Sequence, residues 1–293
     1  EATHGTSWRL VGGGMGLGNL QGDGMGEGWS DFYAESLLSE PGDDPDAAYA
    51  NGGYPTYLLG GLNQNYYFGI RRYPYSTDLT KNPLTFKDID PGQASPHAGV
   101  PMSPLYSPFS AASADEVHFQ GEVWCSALWE VRANLIRKHG GAAGNNLALQ
   151  LVTDGMKLTP ASPTFLEARD AILLADQVAS GGLNGAEIWA GFAKRGMGIS
   201  AIAGDSDTTA GVVEAYDVPG LQIDDTILSG GNANGIIDVN ECNQLDVVLK
   251  NNSPVLATGV SVQLSTTTRG VAFGSKVSDY PDIPSGATAT NLV

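Results

Sequence analysis

Apolar residues recur at helical spacing through much of the chain's middle. From Gln120 the period sets Val123, Ala127, Trp129, Ala133, Leu135 and Ile136 on a helix, which ends near Lys138-His139-Gly140-Gly141, basic residues followed by glycine. Asn145 to Leu158 predicts a second helix. Ser162-Pro163-Thr164-Phe165 opens a third, with Pro in the first turn, and Leu183 to Arg195 gives a fourth. Upstream, Glu27 to Leu38 reads as a helix with Trp29, Phe32, Tyr33, Leu37 and Leu38 on one side. Residues 1–26 read as a helix end followed by a glycine-rich loop, and the Pro-, Gly- and Asn-rich stretch 40–115 as long irregular loops. Near residue 204 the pattern changes. Asp246 to Leu249, Gly259 to Ser265 and Ala287 to Thr290 are strand-like runs between turns.

Three segments follow: residues 1–203, a linker at 204–211 that begins Gly204-Asp205-Ser206-Asp207, and an immunoglobulin-like β-sandwich at 212–293, truncated at Val293. At 293 residues the chain can bury a sizeable core in more than one domain. Its net charge of −17 argues against nucleic acid or an anionic membrane as partner. There is no apolar run of about 18 residues, so no membrane span is expected. The two cysteines, Cys125 and Cys242, fall in different segments and give no disulfide framework, and Cys125 in its apolar run is expected to be a small core residue. The run Gly12 to Gly18 superficially suggests a phosphate cradle. It lacks a preceding strand and a Lys-Ser/Thr, so it reads as the rim of a site.

Candidate chemistry concentrates at the start. Glu1-Ala2-Thr3-His4 would complete H-E-x-x-H if a His precedes Glu1. Two His at i and i+4 on a helix can share one zinc while the Glu between them activates water, and Glu27 is placed to supply a third ligand from a second helix. Asp31 follows Glu27 by one helical turn, so both carboxylates share a face.

These pieces continue through Gly24 to Phe32, Tyr73-Pro74-Tyr75-Ser76-Thr77-Asp78, Lys81 to Thr85, Val117-His118, Gly121-Glu122-Val123-Trp124, Leu128-Trp129-Glu130, Leu147 to Gly155, Ser162 to Gln177 and Phe192 to Gly196. In this order, over about residues 1–203, the chain resembles the fungalysin family of secreted zinc metallopeptidases of the thermolysin-like group. The resemblance implies an α+β multidomain chain: the mainly α-helical C-terminal lobe of a thermolysin-like metallopeptidase, then the β-sandwich. It implies a secreted endopeptidase acting on protein or peptide substrates with Zn2+, and an N-terminal lobe or prosegment outside this chain. It implies Glu1 as general base, His4 and Glu27 as zinc ligands, Asp31 hydrogen-bonded to a ligand His, and His118 as an oxyanion donor. Asp115 and Glu116 both remain open as the orienter of His118. The tyrosine that thermolysin places between its second His and its Glu has no counterpart between His4 and Glu27.

Weaker features have plainer readings. Arg71 and Arg72 fit either a grip on substrate or solvated surface. Glu122 and Glu130 read as ion-pairing or solvated acids, His97 and His139 as structural residues. In the last segment, Gly230 to Glu241 has calcium-loop spacing, with oxygen donors Asn232, Asn234, Asp238 and Glu241 at positions 3, 5, 9 and 12 and Gly235 at position 6. Position 1 is Gly230, for which Asp224 or Asp225 would have to fold back. Phrases such as Leu249-Lys250-Asn251-Asn252 resemble small β-domains of bacterial exported proteins, so a bacterial extracellular source is expected. The rival to the peptidase is an inactive fragment or exported binding protein that adheres through its β-domain.

Overall fold

The computed structural model describes residues 2–60, 65–93, 97–106, 114–253 and 256–292. It divides into two compact units, Glu1–Tyr216 and Asp217–Val293.

The first unit is built on helices α1 (Ala2–Leu10), α2 (Leu20–Leu38), α3 (Gly53–Gly60), α4 (Asn65–Phe68), α5 (Val117–His139), α6 (Gly141–Leu158), α7 (Phe165–Ser180) and α8 (Gly185–Lys194). Helix α5 is the axis, and α2, α6 and α8 pack around it. Its sequence is apolar enough to be buried nearly all round. The two acids turned inward, Glu122 and Glu130, are each 1% exposed and paired with arginine. Aromatic contacts fill the centre. Trp29 of α2 meets Trp124 of α5 edge-on at 5.7 Å, and Trp124 meets Phe165 of α7 at 5.3 Å, geometries that satisfy the ring quadrupoles.

Helix α2 begins seven residues before the expected Glu27 start. Its first half, Leu20-Gln21-Gly22-Asp23-Gly24-Met25-Gly26, has poor helix propensity and reads as loop. Close approach to α5 outweighs that propensity. A Cβ at Gly24 would stand 2.5 Å from Cβ of Gln120, one at Gly28 would stand 2.6 Å from the Gly121 carbonyl oxygen, and one at Gly121 would stand 2.6 Å from Cβ of Glu27. The glycines form the seam along which the two backbones meet.

The other helices start and stop close to expectation. Thr164 is the N-cap of α7 and forms a capping box with Glu167, so Pro163 lies just outside the helix rather than in its first turn. The stretch 40–115, expected as long irregular loops, holds α3 and α4, and its residues from Ser76 to Leu84 are tied down by a buried arginine. Arg195, fully buried, donates to the carbonyls of Asn82 (2.7 Å), Leu84 (3.0 Å) and Ser76, and its Nη2 lies 2.7 Å from Glu130 Oε1.

The expected linker 204–211, with 212–216 after it, belongs to this unit. Gln21 Nε2 donates to the carbonyls of Ala203, Asp205 and Thr208, Val212 is fully buried in the helical core, and Val213 bridges Ile202. The Gly-Asp-Thr composition suggested a spacer because its polar backbone finds its partners in a side chain far away in sequence.

The second unit is all-β. Strands β1 (Leu221–Gly230), β2 (Asn243–Asn251) and β5 (Thr288–Thr290) form an antiparallel sheet in the order β1-β2-β5, and β3 (Ser261–Gln263) pairs with β4 (Val277–Asp279). Val247, Leu249, Tyr280 and Ile283 make its small core. The runs at 246–249, 259–265 and 287–290 lie on β2, β3 and β5. Among the described residues these five strands stand in place of the full immunoglobulin-like sandwich expected, which needs about seven.

Candidate active site

Three helices bring the predicted residues together. His4 lies in the first turn of α1, Glu27 in the middle of α2, and His118 in the first turn of α5. His4 Nε2 is 3.4 Å from Glu27 Oε1, and His118 Nε2 is 3.6 Å from Glu27 Oε2, so the carboxylate stands between two imidazoles. Glu1, assigned as general base from the motif, lies outside the described residues.

The start of α5 orients His118. Glu116 is the N-cap and accepts from the amides of His118 (3.0 Å) and Phe119 (3.2 Å), while its Oε1 lies 2.6 Å from His118 Nδ1. The orienter is therefore Glu116. Asp115 instead gives its carbonyl to the Gln120 amide group at 2.8 Å.

Within the described residues Asp31 binds Arg71 and Tyr75; the ligand His expected before Glu1 lies outside the sequence. Asp31 does not bond His4. Its two oxygens receive Arg71 Nε (2.6 Å) and Nη2 (2.7 Å), and Oδ2 also receives the Tyr75 hydroxyl. Arg71 Nη2 then reaches Glu27 Oε2 at 3.4 Å. Asp31 thus reaches Glu27 through Arg71, whose forked guanidinium spans two acids one helical turn apart. Burial opposes the charge on Arg71, but Asp31 outweighs it and holds the guanidinium above its ordinary range. Burial and the Asp31 charge also push the Tyr75 hydroxyl well up, so it remains a donor.

Arg71 and Arg72 are both 4% exposed, which corrects the solvated-surface reading. Arg72 pairs with Glu122 through its backbone N and Nε, both at 2.8 Å. The available signals were an i,i+4 carboxylate pair, which needs a cation once buried, and a two-arginine run, but 40 residues separate Arg71 from Asp31. Sequence alone did not say which arginine serves which acid. His97 and His139 are structural, bonded to Asp88 and Asn184 at 2.7 Å each.

Among the described residues no cluster of three or more His, Cys, Asp and Glu converges into a metal site. His4 and Glu27 nevertheless fit as part of one. Two ligands on a tetrahedral zinc lie about 3.4 Å apart at ordinary bond lengths, which is their separation here. Beside His4 an open cleft of about 340 Å³ is lined by Ser7, Trp8, Leu17, Gly22, Asp23 and Gly26. Burial raises the Asp23 carboxyl above its ordinary value.

The calcium-type loop joins β1 to β2. Asn232 and Asn234 each donate a side-chain amide to Asp238 Oδ2, at 3.2 and 2.9 Å, and Glu241 accepts from the backbone N of Asn232 and of Asp238. The four predicted residues converge. Asp224 and Asp225 do not join them. They lie in β1, where Asp225 pairs with Val248, and five residue steps of extended chain separate Asp225 from Gly230 by about 16 Å.

The profile of fungalysin metallopeptidases (M36) matches residues 1–201. The extracellular metalloproteinase mep of Aspergillus fumigatus is 41% identical over 217 residues, covering 69% of this chain and 30% of that protein. Extracellular metalloproteinase 1 of Trichophyton equinum and extracellular metalloproteinase MEP of Neosartorya fischeri are each 40% identical over the same length, with 69% and 30% covered again for the latter. The chain therefore spans about 30% of the length of these curated relatives. The relatives are fungal, and the expected bacterial source is withdrawn on that finding.

Proposed function

The chain belongs to the fungalysin family of metallopeptidases, and from that premise we propose that it carries part of the catalytic centre of a zinc-dependent, secreted endopeptidase, as the C-terminal lobe of a thermolysin-like enzyme. The observation that carries this reading is the Glu27 carboxylate set between His4 and His118, at 3.4 and 3.6 Å. Family membership supports a metal, and the names of the relatives support export and protein substrates.

In this reading His4 and Glu27 hold zinc, which when bound would supply Lewis acidity and a water of lowered pKa. Glu1 takes the proton of the attacking water and passes it to the leaving amine. His118 presents Nε2 to the oxygen of the scissile carbonyl. With Nδ1 committed to Glu116, Nε2 is the ring atom left to face the developing oxyanion. Arg71 keeps Glu27 aimed by tying it to the buried Asp31.

The test uses the full-length protein. Zinc content and hydrolysis of an unfolded protein substrate are measured for wild type, His4→Ala, Glu27→Ala and Glu1→Gln. The two ligand variants are expected to lose both metal and activity, and Glu1→Gln to keep metal and lose activity. Full zinc occupancy in Glu27→Ala, or normal turnover in Glu1→Gln, would overturn the assignment.

Calcium at Asn232, Asn234, Asp238 and Glu241 is a second proposal, supported by their convergence in the β1–β2 loop.

A further inference from the structure

Residues Ile70 to Tyr73 carry adjacent arginines that grip different helices. Arg71 holds the acids of α2, Asp31 and Glu27. Arg72 holds the first turns of α5 in three ways. Its backbone N and Nε bond the two oxygens of Glu122, its Nη2 donates to the Phe119 carbonyl at 3.1 Å, and its guanidinium lies 4.0 Å from the centre of the Phe119 ring. Arg72 is 4% and Glu122 1% exposed. A pair this dry gains little stability over an apolar pair of the same size, because desolvation consumes most of the attraction. What its directional bonds do provide is registry. Phe119 follows His118 directly, so a slide or roll of the first turn of α5 would break the bond to the Phe119 carbonyl and the stack on its ring.

We infer that Arg72 and Glu122 are positioning residues for His118: with Arg71 on α2, the arginine pair sets the distance between the imidazole on α5 and the carboxylate of Glu27. The pair touches no substrate and acts through the backbone of Phe119. This inference rests on the peptidase reading for its kinetic consequence, but not for its structural one.

Two variants of the full-length protein test it. Arg72→Met with Glu122→Gln removes both charges, keeps a side-chain oxygen for the Arg72 backbone N and an amide donor for the Phe119 carbonyl, and is expected to melt near wild type. Arg72→Lys keeps the cation and loses the fork. In both, kcat is expected to fall on the order of tenfold to a hundredfold with KM little changed and zinc retained, because a small displacement of a catalytic group costs that much. Hydrogen exchange at the Phe119 and Gln120 amides is expected to quicken while the rest of α5 stays protected. Wild-type kcat together with wild-type exchange in both variants would overturn the inference, as would a kcat loss that simply tracks a lower melting temperature. If the wild-type protein hydrolyses nothing, the peptidase reading fails by itself. The exchange measurement then decides the positioning role, with unchanged protection overturning it.

Discussion

Gly121 of α5 lies against Glu27 of α2 so closely that a methyl group on Gly121 would stand 2.6 Å from the Glu27 Cβ. The nearest backbone atoms are as restrictive, with the Gly28 nitrogen at 2.9 Å and the Gly24 carbonyl oxygen at 3.1 Å. Main-chain atoms cannot rotate away as a flexible side chain can. A candidate metal ligand therefore owes its place to the absence of a side chain on the neighbouring helix.

Gly121→Ala is accordingly expected to destabilise the first unit by about 1–3 kcal/mol, the usual cost of overpacking, and to lower activity by pushing Glu27 off His4. Gly185→Ala is the control. No heavy atom lies within 4 Å of a Cβ there, and the substitution should be neutral or slightly stabilising. Denaturant melts of both variants check this, and equal stability for the two would refute the close-contact argument.

His118→Ala should keep zinc and fold while lowering kcat much more than it changes KM, since its proposed bond strengthens as the oxyanion forms. An oxyanion donor is worth about 3 kcal/mol, or on the order of a hundredfold in rate. Glu116→Gln should act in the same direction but less, because it still caps α5 and still reaches Nδ1. Unchanged kcat in His118→Ala would return that residue to a structural role.

Glu35 gives a pH signature independent of catalysis. Burial, reinforced by Asp31, raises its carboxyl from 4.5 to about 7. The folded state thus favours the neutral acid. Its contribution to stability is complete below about 4.5, declines as pH rises, and is lost above about 7, a total of about 3 kcal/mol. Glu35→Gln, which cannot ionise, should therefore melt above wild type at pH 8 and no higher than wild type at pH 4. A difference of the same size at both pH values would count against the shift.

For the second unit, millimolar calcium should raise the melting temperature of the intact chain's β-unit relative to EDTA, and Glu241→Gln should abolish the rise. Identical wild-type melts with calcium and with EDTA would remove the site.

Long amphipathic helices were readable because their burial follows a 3.6-residue period; the grouping of His4 with Glu27 was suggested by motif spacing, and that of His118 with them only by the family resemblance. What escaped was decided by contacts distant in sequence. Leu20 to Gly26 is helical because of Gln120 and Gly121, residues about a hundred positions away. Residues 204–216 are not a spacer because Gln21 supplies their hydrogen bonds and a helical core receives Val212. Strand β1 went unread because its pattern is exposed on both faces, so alternation gave no signal. The choice of Glu116 over Asp115 hangs on the N-cap geometry of α5, which adjacent acids in a sequence cannot reveal.

The glycine seam between α2 and α5 also divides the labour of change in this chain. Spacing set by backbone against backbone has no rotamers to exchange, so substitutions elsewhere can do little to retune it. Exposed loop positions such as Ala98 and Pro101 are under no such restriction, and positions of that kind accept new residues readily. Change is therefore expected at such exposed positions sooner than along the two helices, and a laboratory library meant to leave the helix spacing intact belongs there.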